Sequence, residues 1–212
     1  MSVSLFFGLP GSGKTTLMAY FAKKGIRNPK YQNVFSNVAL EIDGVTFIDN
    51  SCVGKYDISD GLLLIDEASL FADNRDYKSF PKAVKEFFLL HRHYNVDIML
   101  FTQQWDGVDR KIRVITDRVY YVYKPKLIGY WFTKFYRIPY GIIIPDPKKN
   151  SGSDKLGEII QGYCKPPFYV RLLSPLVYRP FFYKYFDSWD RRELPSLPDK
   201  YIPYSYKLKE AN

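Results

Sequence analysis

Gly8-Leu9-Pro10-Gly11-Ser12-Gly13-Lys14-Thr15 opens almost at the start of the chain and decides how the rest is read. The run fits Gly-x4-Gly-Lys-[Ser/Thr], and each residue type in it answers a demand of phosphate binding. Glycines let backbone N–H groups turn inward as an anion-binding nest. The helix that follows adds unpaired N–H groups and the positive end of its dipole. Lys14 is placed to reach the β- and γ-phosphates, and the Thr15 hydroxyl to coordinate Mg²⁺. Gly8, Leu9, Pro10, Gly11, Ser12, Gly13, Lys14, Thr15 and Thr16 are therefore the expected nucleotide-binding residues. The flanks agree: Val3 to Phe7 reads as a short buried strand, and Thr16 to Lys24 as a helix with Gly25 as its left-handed cap.

Outward from this loop, the next informative run is Gly61-Leu62-Leu63-Leu64-Ile65-Asp66-Glu67. Four apolar residues ending in an acid predict a central parallel strand, buried on both faces. Asp66 then stands at the carboxyl end, where open α/β sheets bind their ligands. It joins Thr15 as the expected Mg²⁺-holding pair. A second carboxylate, Glu67, can orient and deprotonate an attacking water, so the phosphoryl acceptor is water and the reaction ATP hydrolysis. A small-molecule kinase shares the Gly-x-Pro-Gly-x-Gly-Lys loop, but it needs a second substrate pocket and usually an arginine-rich lid. Residues 26–60 offer short strands instead (Val34 to Leu40, Val45 to Ile48), a turn at Asp43-Gly44 and few arginines. No Asn-Lys-x-Asp motif is present, which favours ATP over GTP.

Ser79 is expected to cap a helix running to about His93, with Ala83, Val84, Phe87, Phe88 and Leu90 on its inner side. Val96 to Phe101 reads as a strand, apolar apart from Asp97, and runs into Thr102-Gln103-Gln104. An amide ending the strand beside Asp66 can sense the γ-phosphate, and strand alignment favours Gln103 over Gln104. Residues 105–117 read as helix or loop, and Val119 to Tyr123 as another strand. The fold class is thus α/β: about five core strands in a mostly parallel sheet flanked by helices, with one additional strand between those of the glycine loop and Asp66. Beyond it, Tyr130 to Ile144 alternates as a β-hairpin would, Pro145 to Gly157 is a loop by composition, and the remainder is irregular and rich in Tyr and Pro. The expected division is a P-loop ATPase core over 1–125 and a basic, aromatic extension packed on it over 126–212.

Charge sharpens that division. Across 212 residues, 31 Lys/Arg against 22 Asp/Glu leave a net +9. Residues 1–110 hold 12 basic and 13 acidic side chains; residues 111–212 hold 19 and 9, with 14 of the 19 tyrosines. A basic, aromatic half suits an anionic partner, either nucleic acid with bases stacked on the rings or an anionic membrane surface. The 46% hydrophobic content excludes disorder. Apolar runs of four or five residues fall far short of the ~20 a membrane-spanning helix needs. With the glycine loop so early, no leader is expected, and the expected location is the cytoplasm, with the inner face of its membrane as a contact surface. Cys52 and Cys164 lack metal spacing and read as idle thiols in a reducing compartment. His91 and His93 do not share a helix face.

Taken together, GLPGSGKTT, LLLIDEAS and HRHYNVDIMLFTQQ followed by DRKIRVITDRV resemble the zonular occludens toxin (Zot) family, which includes the morphogenesis ATPases of filamentous phages. The resemblance covers roughly residues 1–125. It implies a RecA/FtsK-HerA-like P-loop fold and ATP-driven assembly or extrusion of a phage particle. Its implied partners are single-stranded DNA, phage assembly proteins and further copies of the chain, in a homo-oligomer such as a hexameric ring. A ring motor also uses an arginine reaching a neighbour's nucleotide. Arg92, Arg113 and Arg118 are candidates; Arg92 joins Lys14, Glu67 and Gln103 in the expected catalytic set, with the choice among the three left open. Filamentous-phage members usually continue into a transmembrane helix and an extracytoplasmic domain, which these 212 residues do not contain. The alternative reading is a nucleotide-gated adaptor that recruits morphogenesis proteins or a membrane surface.

Overall fold

Apolar residues of short period place three strands at the centre: β1 (Val3–Phe7), β4 (Gly61–Ile65) and β5 (Val96–Thr102). Every residue of β1 and β4 is buried, as strands covered on both faces must be. The computed structural model describes residues 1–68, 82–103, 108, 110–138 and 168–187. Within these, α1 (Lys14–Ile26) follows the glycine loop, then β2 (Asn33–Ser36) and β3 (Val45–Phe47). Further along come α2 (Lys82–Leu90), α3 (Arg110–Ile115), β6 (Arg118–Tyr123) and β7 (Phe132–Ile138). Last are α4 (Phe168–Leu173), β8 (Leu176–Tyr178) and a 3₁₀ turn at Tyr183–Tyr185.

One sheet holds all eight strands, in the order β3-β2-β4-β5-β1-β6-β7-β8. The first six are parallel and β7 and β8 run antiparallel to their neighbours. β5 lies between β1 and β4, the inserted strand expected from the sequence. Alternate side chains feed two cores. Phe6, Leu62, Leu64 and Phe101 pack under α1 with Leu17 and Met18, and Phe6 stacks on Phe101 and Tyr120 at 4.9 and 4.6 Å. On the other face, Leu5, Phe7, Leu63, Ile65, Ile98 and Leu100 meet Phe87 and Phe88 of α2 and Ile112 of α3. This is the P-loop NTPase fold.

Several expectations change. Six parallel strands are present rather than about five. Gly25 is no cap: α1 runs on to Ile26, and a Cβ at Gly25 would lie 2.8 Å from Leu62 and 3.1 Å from Val34. The glycine lets the helix approach the sheet. β2 ends at Ser36, well short of Leu40. In α2, Val84, Phe87 and Phe88 face inward as expected, while Ala83 and Leu90 are exposed. Residues 130–138 contain one strand, β7, which pairs with β6 on one side and β8 on the other, so 132–138 and 176–178 continue the sheet. Ser79, residues 139–157 and Cys164 lie outside the described residues. Among those described, no three His, Cys, Asp or Glu cluster as a metal site, and no helix is long and apolar enough to cross a membrane.

Asp97, the acid in an apolar strand, ties two chain segments to the amino edge of the sheet. Its carboxylate accepts from the Ser2 N–H at 2.6 Å, the Tyr31 hydroxyl at 2.7 Å and the Lys30 ammonium. Burial alone would raise its pKa, but the bonds from Lys30, Tyr31 and Ser2 together hold it below the usual carboxylate range. A lowered folded-state pKa means a contribution fully present above the unfolded value of about 3.9 and lost as pH falls through the folded one. Asp97→Asn is expected to cost about 2 kcal/mol at pH 7, discounted because the Lys30 side chain is half exposed. Urea titration against pH checks it: the variant's stability should decline less than the wild type's below pH 4.

Candidate nucleotide site

The carboxyl ends of β1, β4 and β5 bring the sequence-predicted residues together. Chain reversal from β1 into α1 needs positive φ at Gly11 (71°) and Gly13 (98°), and Gly13 starts the helix by accepting from the Leu17 N–H at 3.0 Å. The Gly8 N–H donates to the Thr102 carbonyl at 3.2 Å, fastening the loop to β5. Ser12 Oγ is buried without a hydrogen-bond partner, a polar atom left for a ligand to satisfy. Lys14 is buried, and its ammonium folds back onto the Gly8 and Leu9 carbonyls at 3.0 and 3.4 Å. That burial lowers its pKa, partly offset by Asp66 and Glu67.

Across from the loop, the Thr15 hydroxyl approaches Asp66 Oδ2 at 3.5 Å. A hydroxyl and a carboxylate converging from two elements are oxygen donors of the kind Mg²⁺ takes, so these residues fit the ion. Burial pushes the Asp66 carboxyl up, and the Glu67 N–H, at 2.9 Å from Oδ1, pulls it back. Glu67 follows with φ 49°, a left-handed conformation uncommon outside glycine. Its Oε1 accepts from the Gln103 amide at 2.8 Å. The two residues read separately from sequence, one as base and one as sensor, are thus joined directly.

Arg92 is not brought to this end. It precedes β5 at the amino edge of the sheet, 68% exposed, with its guanidinium 3.7 Å from Asp117. Arg118, the first residue of β6, lies at the same edge. Arg113 lies in α3, just before that edge.

Two residues escaped the sequence reading. Asn37, just past β2, accepts from the Asp66 N–H at 2.7 Å and donates to the Asp66 carbonyl at 3.0 Å, clamping that backbone from both sides. Its one signal was a polar residue at a strand's carboxyl end. Thr133 of β7 is fully buried; its hydroxyl donates to the Ser12 carbonyl at 2.5 Å, and a Cβ at Gly13 would lie 2.9 Å from it. A Cβ at Gly8 would meet the Val122 carbonyl of β6 at 2.2 Å. The glycine loop is therefore cradled by β6 and β7 as well as by its own strand. Thr133→Val keeps the shape and deletes the hydrogen bond, worth about 1 kcal/mol. Because that bond is present without nucleotide, the melting temperature is expected to fall by about 2–4 °C, and ATP affinity measured by calorimetry to fall by no more than about fivefold.

The sequence model of the family described as zonular occludens toxin (Zot) matches residues 28–155, more than half of the chain. That span begins after the glycine loop and takes in Asp66, Glu67, Arg92 and Gln103. No curated protein matches. Among solved structures, the N-terminal domain of zonular occludens toxin from Neisseria meningitidis superposes with a TM-score of 0.52 at 19% identity, over 88% of this chain and 98% of that one. The genome packaging NTPase B204 from Sulfolobus turreted icosahedral virus 2, in complex with sulfate, gives 0.47 at 14% identity, over 65% and 91%. The first of these likenesses shows a shared fold. On the family match, the chain belongs to the zonular occludens toxin (Zot) family.

Proposed function

We propose that this chain is a Mg²⁺-dependent ATPase and the motor subunit of a phage assembly or extrusion machine that handles single-stranded DNA. The observation that carries the reading is the convergence of Lys14, Thr15, Asp66, Glu67 and Gln103 at one end of the sheet, with the Gln103 amide on the Glu67 carboxylate. Residues 11–16 bind the phosphates through their backbone N–H groups. On nucleotide binding, Lys14 leaves the Gly8 and Leu9 carbonyls for the phosphate oxygens. Thr15 and Asp66 would hold Mg²⁺, which would supply positive charge to offset that of the phosphates. Glu67 takes the proton from the attacking water, and Gln103 orients that carboxylate. An arginine at the amino edge, Arg92 or Arg118, acts only on a neighbouring subunit's nucleotide, which calls for an oligomer.

The ATPase core over 1–125 carries this chemistry, and the basic, aromatic stretch over 126–212 faces the partner. Phosphate release measured with and without a single-stranded oligonucleotide tests the motor. Several-fold stimulation, declining with salt as counterion release requires, is expected. Transfer of the labelled phosphate to a nucleoside or sugar, with none released, would replace the motor by a kinase.

A further inference from the structure

The turn between β6 and β7 carries an apolar tip that nothing in the nucleotide site uses. Its sequence is Lys124-Pro125-Lys126-Leu127-Ile128-Gly129-Tyr130-Trp131. Leu127 is 98% exposed, and Ile128, Tyr130 and Trp131 are exposed beside it. Monomeric proteins rarely display aliphatic and aromatic side chains together at a loop tip without a partner. The tip is nonetheless ordered. The Trp131 N–H donates to the Ile128 carbonyl at 3.0 Å, and a Cβ at Gly129 would lie 2.4 Å from the Pro125 carbonyl. Arg179, just past β8, braces it: its backbone N–H donates to the Trp131 carbonyl at 2.7 Å and its guanidinium to the Gly129 carbonyl at 3.2 Å.

The surroundings are aromatic and mostly basic, with Asp187 just beyond them. Tyr178 stacks on Trp131 at 6.4 Å, 11° from parallel, and Tyr130 meets it edge-on at 5.1 Å. Lys124 and Lys126 are exposed on either side of Pro125. Residues 124–134 and 176–186 contain five Lys or Arg and no Asp or Glu. An aliphatic tip, a Tyr/Trp pair and exposed lysines thus share one turn.

We propose that this turn docks the chain on an anionic lipid bilayer. Leu127 and Ile128 enter the acyl boundary, Tyr130 and Trp131 sit at headgroup level, and Lys124 and Lys126 meet lipid phosphates. Single-stranded DNA explains this combination less well. Bases would use the rings and cations, but an aliphatic tip offers them nothing to stack on, and one Trp131 face is already taken by Tyr178. The turn leaves the sheet at the end that carries the glycine loop, so docking turns the nucleotide site toward the membrane.

This inference does not depend on the ATPase reading, and its test omits nucleotide. The chain is floated with vesicles of phosphatidylcholine alone or with one third phosphatidylglycerol, at low and high salt. Flotation is expected only with the anionic vesicles, to weaken with salt, and to drop at least fivefold in Leu127→Glu and in Lys124→Glu/Lys126→Glu. Because both sites are exposed, these variants should melt as the wild type does. Equal flotation on neutral vesicles, or Leu127→Glu floating as well as wild type, would overturn it. So would loss of oligonucleotide retention in Leu127→Glu with flotation unchanged. A chain that floats but does not hydrolyse ATP counts only against the ATPase proposal.

Discussion

Glutamine at position 67 is expected to cut the turnover of ATP by a factor of about 10² to 10⁴, the range for removing a positioned general base. The substitution keeps the shape of Glu67 and removes only its ability to accept a proton. Affinity for ATP should change little, because the phosphates are held by the glycine loop and Lys14, on the other side of the site. A fall in kcat without a rise in KM marks an interaction made only in the transition state. The local geometry supports this assignment. Glu67 adopts φ 49°, a conformation costing about 1–2 kcal/mol for a residue with a Cβ, and its carboxylate is held by Gln103. Strain retained beside a directed hydrogen bond is what a positioned reactive group requires. Single-turnover phosphate release, read beside equilibrium nucleotide binding, separates the two quantities. Unchanged turnover in Glu67→Gln would remove Glu67 from the mechanism and leave water activation to another group.

What could be read from the chain alone was whatever repeats or keeps fixed spacing. The glycine loop carries its spacing in sequence, and β1, β4 and β5 announce themselves as short apolar runs with polar residues at their carboxyl ends. Parallel strands of this kind place Lys14, Asp66 and Gln103 together without any knowledge of side-chain geometry. Asn37 and Thr133 had no such pattern. Each is one small polar residue, and its meaning comes from a partner far along the chain, 29 residues away for Asn37 and 121 for Thr133. Gly25 failed for a related reason. A glycine near a helix end reads as a cap, whereas here Leu62 and Val34 demand the missing Cβ, and those contacts exist only in the folded sheet. The strand at 132–138 was visible by alternation, but its place beside β6, against the glycine loop, was not. Composition marked the basic half as partner-facing, yet β7 of that half supplies the Thr133 hydroxyl that holds Ser12.

Methionine in place of Lys14 is expected to weaken ATP binding about a hundredfold or more while leaving the nucleotide-free fold nearly as stable. Two charge-assisted hydrogen bonds to phosphate, at about 1.5–3 kcal/mol each, account for the first effect. The second follows from what the ammonium does without a phosphate. It is buried against the Gly8 and Leu9 carbonyls, and the bonds gained there are set against the cost of taking a charge out of water. Methionine forfeits those bonds and removes the buried charge, two effects of opposite sign, so the net change should stay within about 1 kcal/mol. For a chain of this length that corresponds to a melting shift of about 2–4 °C or less. ATP at a hundred times its dissociation constant should stabilise the wild type by about 2.7 kcal/mol, and this increment should fall to about 0.4 kcal/mol or less in the variant. A thermal melt with and without Mg²⁺-ATP measures both effects on one sample. Large destabilisation without ATP would make Lys14 a structural residue of the loop. A preserved ATP-dependent shift would mean that the glycine loop holds the phosphates without its lysine.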